Sequence, residues 1–410
     1  MDWGDSPEQA TFRTEVASFV EANLPAYYKQ MAADGGGDPG GEGGWQTDRM
    51  LGGPEARGAA MDWEKALASR GWVAPHWPKE YGGADMTSME QFILKEEFAK
   101  SGAPEVGGQG VSMLGPTIII HGTDEQKSRF LTKTLNCEYI WAQGYSEPGA
   151  GSDLASLQTR AVRDGDEYIV NGQKIWTSNA HRANWIFALV RTDPDAPKHR
   201  GISFMLMDME TPGIQVRPLI SGGGIHFSNE TFYDEVHVPA TQVIGEVNRG
   251  WYVGMTLLDF ERSSIGGAVE NRQVLGMALD YIADGEGHER SRVHELNSVR
   301  GEIADRFIET EVSLNFSFRI ASMQSRGQVP NYEASMGKAF GSETGQRIQR
   351  TGTKMFGLYA TIWGPDEDYA PLRARFTQNY FHSIPATIAG GTSEIQRNII
   401  ATRGLGLPRG

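Results

Sequence analysis

Four short stretches of the chain bring together residue types that chemistry needs. The first is Trp141-Ala142-Gln143-Gly144-Tyr145-Ser146-Glu147-Pro148-Gly149-Ala150-Gly151-Ser152-Asp153, where an aromatic, hydroxyl-bearing run enters a turn with few bulky side chains. Backbone N–H groups in such a turn can approach a polar ligand or an anion, and an ordinary hairpin turn has the same composition. The second, Lys174-Ile175-Trp176-Thr177-Ser178-Asn179, sets a flat indole beside two hydroxyls. Trp176 is therefore either plain core or one wall for a planar heterocycle. The third is Glu261, with Leu257 and Leu258 at i−4 and i−3 and Ile265 and Ala268 at i+4 and i+7. On a helix those residues share the face to be buried, and Gly254, Ser264 and Gly267 leave that face roomy. A carboxylate there is either paired with a buried cation or is a proton acceptor of raised pKa. Arg262 follows directly but points about 100° away on a helix of 3.6 residues per turn. The fourth, Thr387-Ile388-Ala389-Gly390-Gly391-Thr392-Ser393-Glu394-Ile395-Gln396-Arg397, reads as a Gly-Gly turn opening a helix. Thr392 or Ser393 would cap it, leaving N–H groups for an anion such as pyrophosphate.

Other chemistries find little support. The nine histidines include no H-E-x-x-H and no close ligand pair, and Cys137 is the only cysteine, so neither a metal centre nor a disulfide framework is expected. Ser152 lacks the glycines two residues away on each side that a hydrolase elbow needs. No G-x-G-x-x-G follows a strand-like run. Lys plus Arg is 38 against 52 for Asp plus Glu, and a formal charge of −14 argues against general affinity for nucleic acid or anionic membrane. No apolar run approaches the roughly 20 residues of a membrane span. Met1-Asp2-Trp3-Gly4-Asp5 lacks the basic start of a secretory signal, so a cytoplasmic, reduced setting is expected.

The elements that must position these residues follow from periodicity. A chain of 410 residues suggests two or three domains. Residues 1–137 read as mainly helical. Ser6-Pro7-Glu8 opens the first helix, Ala60–Ser69 and Met89–Lys100 carry two more, and Gly71–Gly83 is too rich in Gly and Pro for either helix or central strand. The tract Gly35–Gly44 reads as a flexible loop. Residues 138–247 form a β domain, with Asn171-Gly172 as a hairpin turn between two β-type runs and further strands at Ile186–Val190, Ile202–Leu206 and Gln215–Arg217. Helical periodicity returns over 248–410, in long segments such as Trp251–Asp284 and His294–Arg326. Helices, then a β block, then helices predict an α+β fold of segregated elements.

Together the strings resemble the acyl-CoA dehydrogenase family across nearly the whole chain, through Gly71–Gly83, His121–Lys127, Tyr145–Asp153, Lys174–Asn179, Phe232–Pro239 and Gly390–Arg397. The resemblance implies an N-terminal helical domain, a central β domain and a C-terminal four-helix bundle, with FAD between the β domain and the bundle. It implies that Gln143, Tyr145 and Ser146 line the flavin, that Trp176 packs against it, and that Thr177 and Ser178 lie near its reactive edge. Thr392 and Glu394 would sit by the ribityl chain and pyrophosphate, while Ser152, Asp259 and Arg262 match positions that meet the CoA thioester.

Many members carry their base as Glu immediately before the Gly-Thr of the C-terminal motif, and here that position is Gly390. Glu261-Arg262 instead matches the smaller set, similar to isovaleryl- and long-chain acyl-CoA dehydrogenases, whose base comes from a bundle helix. The implied reaction has Glu261 taking the α-proton while the β-hydride passes to the flavin, giving a trans-2-enoyl-CoA, with the backbone N–H at Gly390 on the thioester oxygen. Gly254, Gly266, Gly267 and Gly390 remove side-chain volume, which predicts a branched, cyclic or long acyl group. Electron-transfer flavoprotein is the implied acceptor. Ala283–Arg292 and Met355–Ala360 depart from the family's usual adenosine-binding stretches, so the implied assembly is either a homo-oligomer, dimer or tetramer, or a heterotetramer with a related subunit. Two alternatives stand beside the dehydrogenase: other flavin chemistry (monooxygenase, oxidase or desulfinase) and a scaffold subunit. The presence of Glu261, Trp176 and Ser146 argues against the scaffold.

Overall fold

A computed structural model describes residues 5–33, 44–261, 266–283 and 285–408, and only the backbone of residues 259–261 and 266. In chain order the helices are α1 Pro7–Asn23, α2 Ala26–Ala33, α3 Trp45–Met50, α4 Pro54–Ala68, α5 Ser88–Ser101, α6 Gly115–His121 and α7 Asp124–Leu135. Eight strands follow: β1 Trp141–Gly144, β2 Arg160–Asp164, β3 Glu167–Lys174, β4 Trp185–Arg191, β5 Ile202–Asp208, β6 Ile214–Ile220, β7 His226–Pro239 and β8 Val243–Ile244. The rest is helical: α8 Gly250–Glu261, α9 Gly266–Ala283, α10 Gly285–Arg290, α11 Asn297–Ser325, α12 Tyr332–Phe356, α13 Arg375–Ser383 and α14 Ser393–Ile399. The expected order of helices, strands and helices is the order observed. Residues 35–43 of the expected loop lie outside the described residues.

The chain divides into two compact units, residues 45–85 with 105–261, and residues 1–44 with 86–104 and 262–410. In the first, the sheet runs β6-β7-β3-β2-β4-β5-β8, with β1 paired in parallel to β4. β4 and β5 are buried along all but their last residue, and they read accordingly as unbroken apolar runs. Ala142, Val170, Ile186, Ala188, Met205, Met207 and Val236 share their core. α8 lays the row Gly250, Val253, Gly254 and Leu257 on this sheet. A Cβ at Gly250 would lie 2.1 Å from the Phe204 nitrogen, so only glycine lets the helix start there.

The Asn171-Gly172 hairpin is not formed. β2 and β3 are joined by a tight two-residue turn at Gly165-Asp166, and Asn171-Gly172 lies inside β3 at a bulge against β7. The physical reason is local: the Asn171 side chain donates to Glu235 Oε1 (2.7 Å) and accepts from the Glu235 N–H (2.9 Å), while a Cβ at Gly172 would meet Thr159 Cα at 2.7 Å. The pair serves a strand irregularity rather than a reversal.

In the second unit Val274, Leu275, Ala278, Val299, Ile303, Ile348 and Phe376 join α9, α11, α12 and α13 in one core. α5 belongs with them, its Phe92 ring 4.7 Å from Phe318 of α11. The first helix starts as expected, Ser6 and Gln9 forming a reciprocal capping box. The helical segment expected over Trp251–Asp284 is occupied by α8 and α9, and residues 262–265 between them, together with Asp284, are outside the described residues.

Candidate functional site

In the sheet unit two of the stretches singled out in the sequence are stitched together. The Ile175 N–H donates to the Ser146 carbonyl at 2.9 Å. Beneath it the fully buried Lys174 donates to the Tyr145 carbonyl (3.1 Å) and to Glu147 Oε1 (2.7 Å). Glu147 also accepts from the backbone N–H of Gln158 (2.6 Å) and Thr159 (2.8 Å). Burial pulls the Lys174 ammonium down to about 8 against the pull of the carboxylate. Burial acts the other way on Glu147, yet the Lys174 charge and the donors around it hold that carboxyl below its ordinary value. The pair is thus an ionic rivet under Tyr145, Ser146 and Ile175. Gln143 and Ser146 are half-buried and Tyr145 is buried.

Trp176 is not core. Its indole is 61 % exposed, and its backbone is left-handed at φ 59°. Asn179, three residues on, is left-handed as well at φ 57°. Such conformations cost a non-glycine residue about 1–3 kcal/mol and persist only when the surroundings enforce them. Here the Thr177 N–H donates to Asn229 O (3.0 Å), the Asn229 N–H to Thr177 O (3.1 Å), and the Asn179 N–H to Phe227 O (2.9 Å). The Thr177 side chain points inward, its hydroxyl 3.5 Å from Thr231 Oγ1, whereas Ser178 is half-buried. A flat aromatic face held out on an enforced turn, with hydroxyls on Ser146 and Ser178 and an amide on Gln143, suits a planar heterocycle with hydrogen-bonding edges. That donor set fits a flavin ring.

The turn just before Ser152 is closed by mutual Glu147–Ala150 backbone bonds of 3.0 Å each. A Cβ at Gly149 or Gly151 would meet nothing within 4 Å, so packing inside the chain does not require those glycines. Ser152 is exposed, and Asp153 beside it pairs with Lys198. Gly254 is not spare room, because its position is filled by Leu189 (3.3 Å) and by Tyr145 Oη (3.4 Å). Gly267, by contrast, has open space. Backbone position 261 lies one turn beyond Leu257 on the buried row of α8. The side chains of Glu261 and Asp259, and Arg262, Ser264 and Ile265 altogether, are outside the described residues.

In the helical unit Gly390 and Gly391 are both left-handed, at φ 62° and 89°. Gln396 Nε2 donates to the Gly390 carbonyl (2.9 Å) and Lys338 Nζ to that of Gly391 (2.7 Å). Of the two candidate caps it is Thr392 that accepts, from the Ile395 N–H at 3.2 Å, while Ser393 is buried. The exposed Glu394 carboxyl is held below its ordinary value by its own backbone N–H and by Thr392. Among the described residues no cluster of three or more His, Cys, Asp or Glu is arranged to hold a metal, and no helix is long and apolar enough to cross a membrane. Sequence reasoning missed Glu147 and Asn229. A lysine within the β-type run Tyr168–Trp176 was the available signal for the first, and nothing local signalled the second.

Three family models match in order: "Acyl-CoA dehydrogenase, N-terminal domain" over residues 54–138, "Acyl-CoA dehydrogenase, middle domain" over 142–236, and "Acyl-CoA dehydrogenase, C-terminal domain" over 248–405. Acyl-CoA dehydrogenase IpdE1 of Mycobacterium tuberculosis is 33 % identical over 387 residues, 89 % of this chain and 96 % of the relative. The solved structure "Tcur3481-Tcur3483 steroid ACAD" is 34 % identical with a TM-score of 0.83 and full coverage of both chains, 100 % each. The ChsE4-ChsE5 complex from Mycobacterium tuberculosis is 32 % identical with a TM-score of 0.80, again covering 100 % of both chains.

Proposed function

The chain belongs to the acyl-CoA dehydrogenase family of FAD-dependent oxidoreductases, and from that premise we propose that it dehydrogenates a branched, cyclic or long acyl-CoA to its trans-2-enoyl thioester. The observation that carries the reading is Trp176, an indole held out to solvent on a left-handed turn beside Ser146 and Ser178. Gln143, Tyr145, Ser146, Trp176, Thr177 and Ser178 would hold FAD on the sheet side, and Thr392 and Glu394 on the helical side. When bound, FAD supplies the acceptor for the two electrons that leave the substrate.

The chain's own residues do the rest. A proton next to a thioester carbonyl is too weakly acidic for a free carboxylate, so the developing negative charge on the carbonyl oxygen must meet fixed donors, commonly worth several kcal/mol. The backbone N–H at Gly390 is such a donor in this reading, and losing a side chain there does not lose it. Glu261 accepts the α-proton, while Ser152, Asp259 and Arg262 hold the CoA thioester. Open space at Gly267 and the exposed Gly390 support a wide acyl site, as does the steroid enzyme among the similar structures. The reading includes functional divisions at 1–137, 138–247 and 248–410, a cytoplasmic setting, and electron-transfer flavoprotein as acceptor. It also includes an assembly that is either a homo-oligomer, dimer or tetramer, or a heterotetramer with a related subunit, and the similar ChsE4-ChsE5 structure is itself a complex.

Anaerobic mixing of the purified chain with a panel of acyl-CoAs tests it, read as bleaching of the flavin absorbance. Branched, cyclic (steroid-like included) or long-chain thioesters should outperform butyryl-CoA in kcat/KM. Glu261→Gln should slow bleaching by about 10²–10⁴-fold with flavin content and CoA affinity retained. A preparation that stays colourless after refolding with FAD and a co-expressed related subunit would sink the reading. Near-wild-type bleaching in Glu261→Gln would remove Glu261 from its role.

A further inference from the structure

We propose that Asn229 is a positioning residue for the cofactor site: its side-chain amide, held from behind by His181 and His226, fixes the turn that presents Trp176 and Ser178. The proposal rests on the reading that this turn meets the flavin. Asn229 is fully buried near the start of β7 and lies 52 residues along the chain from Thr177. Its Nδ2 donates to the Thr177 carbonyl at 3.0 Å and lies 3.0 Å from His181 Nδ1, and its Oδ1 lies 2.7 Å from His226 Nε2. The Thr177 carbonyl therefore accepts twice from one residue, once from its backbone and once from its side chain.

This arrangement fixes the protons. With one amide N–H on Thr177, the other must go to a bare His181 Nδ1, so His181 is neutral and carries its proton on Nε2. Oδ1 can only accept, so His226 donates from Nε2. The two imidazoles stack at 3.8 Å with their planes 19° apart, which suits a pair that is not doubly charged. Burial, His226 and Arg182 pull His181 down to about 4, which keeps it neutral at physiological pH.

None of these three side chains belongs to the residues that would line the flavin. They brace the turn from beneath. The indole is largely exposed, so its direction follows its backbone, and both left-handed residues of that backbone flank the carbonyl that Asn229 grips.

Full-length Asn229→Ala and Asn229→Ser, each also combined with Trp176→Phe, provide the test. The Trp176 component of the emission is isolated as the difference between each chain and its Trp176→Phe partner, without FAD, and probed by acrylamide quenching. The FAD Kd is then measured for all of them. The expected result is an altered quenching constant for the Trp176 component and an FAD Kd raised about tenfold. In the Trp176→Phe background the further loss should be smaller, because part of the effect runs through the indole. His226→Ala, which frees Oδ1 without removing the amide, should give a weaker change of the same sign. A Trp176 component unchanged in both Asn229 variants overturns the brace, whether or not FAD binds. A changed component with an unchanged FAD Kd overturns the role in the cofactor site. Failure of the wild-type chain to bind FAD overturns the flavin reading alone, since the emission measurement still decides the brace.

Discussion

Replacing Glu147 by Gln should destabilise the sheet unit by about 2–4 kcal/mol at pH 7, and by less as the pH rises toward 8. Two costs add. The first is the lysine left behind. Lys174 is charged at pH 7 because its value is about 8 even with the carboxylate beside it. Without that carboxylate the value falls further and the side chain sheds its proton. The loss is then capped by deprotonation, at about 1.4 kcal/mol for each pH unit below 8. That loss is on the order of 1 kcal/mol at neutral pH, grows as the pH falls and disappears as the pH rises past the Lys174 value. The second cost is a hydrogen bond. The amide that Glu147→Gln introduces cannot offer two oxygens to Lys174, Gln158 and Thr159, and one buried N–H left facing an NH₂ costs about 1–3 kcal/mol. In the wild-type chain the signs are separate for each partner. Lys174 has a folded value below its ordinary 10.5, so its contribution makes stability rise between about pH 8 and 10.5. Glu147 is lowered, so its contribution is present above its ordinary value and is lost as the pH falls through its folded one. A chain of two units need not unfold in one step. The assay is therefore urea-dependent hydrogen exchange on peptides spanning residues 141–175, which report the Gln158 and Thr159 amides directly. A change below about 0.5 kcal/mol at pH 7, or the same change at pH 6 and pH 8.5, would refute the reasoning.

Trp176→Ala should leave the melting temperature within a few degrees of wild type, since the indole is largely exposed, while weakening FAD binding at least about tenfold by titration. Gly391→Ala places a Cβ 2.7 Å from Gln396 Nε2 at φ 89°, and should cost about 1–3 kcal/mol. Because that same nitrogen holds the Gly390 carbonyl, kcat should fall with it; an unchanged melting temperature and kcat together would show that the Gly-Gly turn tolerates the shift.

Much of the fold was legible because local rules and tertiary packing agree. Ser6-Pro7-Glu8 starts α1 with its capping partner three positions on, Met89–Lys100 falls within α5, and β4 and β5 read as strands from their apolar runs alone. The Asn171-Gly172 pair misled for a physical reason. The same left-handed or open backbone that makes a tight reversal also makes a bulge, and only the distant partner Glu235 decides between them. Trp176 could be picked out by type but not by exposure, because its environment is set by Asn229 and Phe227, which no spacing rule connects to it. Glu147 and Lys174 sit in separate stretches, and their pairing depends on the segment that follows β1 meeting the end of β3, where the Ile175 N–H reaches the Ser146 carbonyl.

The membership of the helical unit has a consequence for synthesis. α5 emerges from a ribosome long before its packing partner α11, since Phe92 and Phe318 are separated by more than two hundred residues. At roughly 5–20 residues per second, the apolar face of α5 waits about eleven to forty-five seconds for the helix that covers it. The sheet unit is interrupted by the α5 segment and yet complete by residue 261, so it can collapse during that interval, before the later helices of the other unit are made. Nascent chains stalled shortly after residue 261 are therefore the species in which Phe92 and Ile93 lack their later partners, and the stage at which a holdase has most to grip.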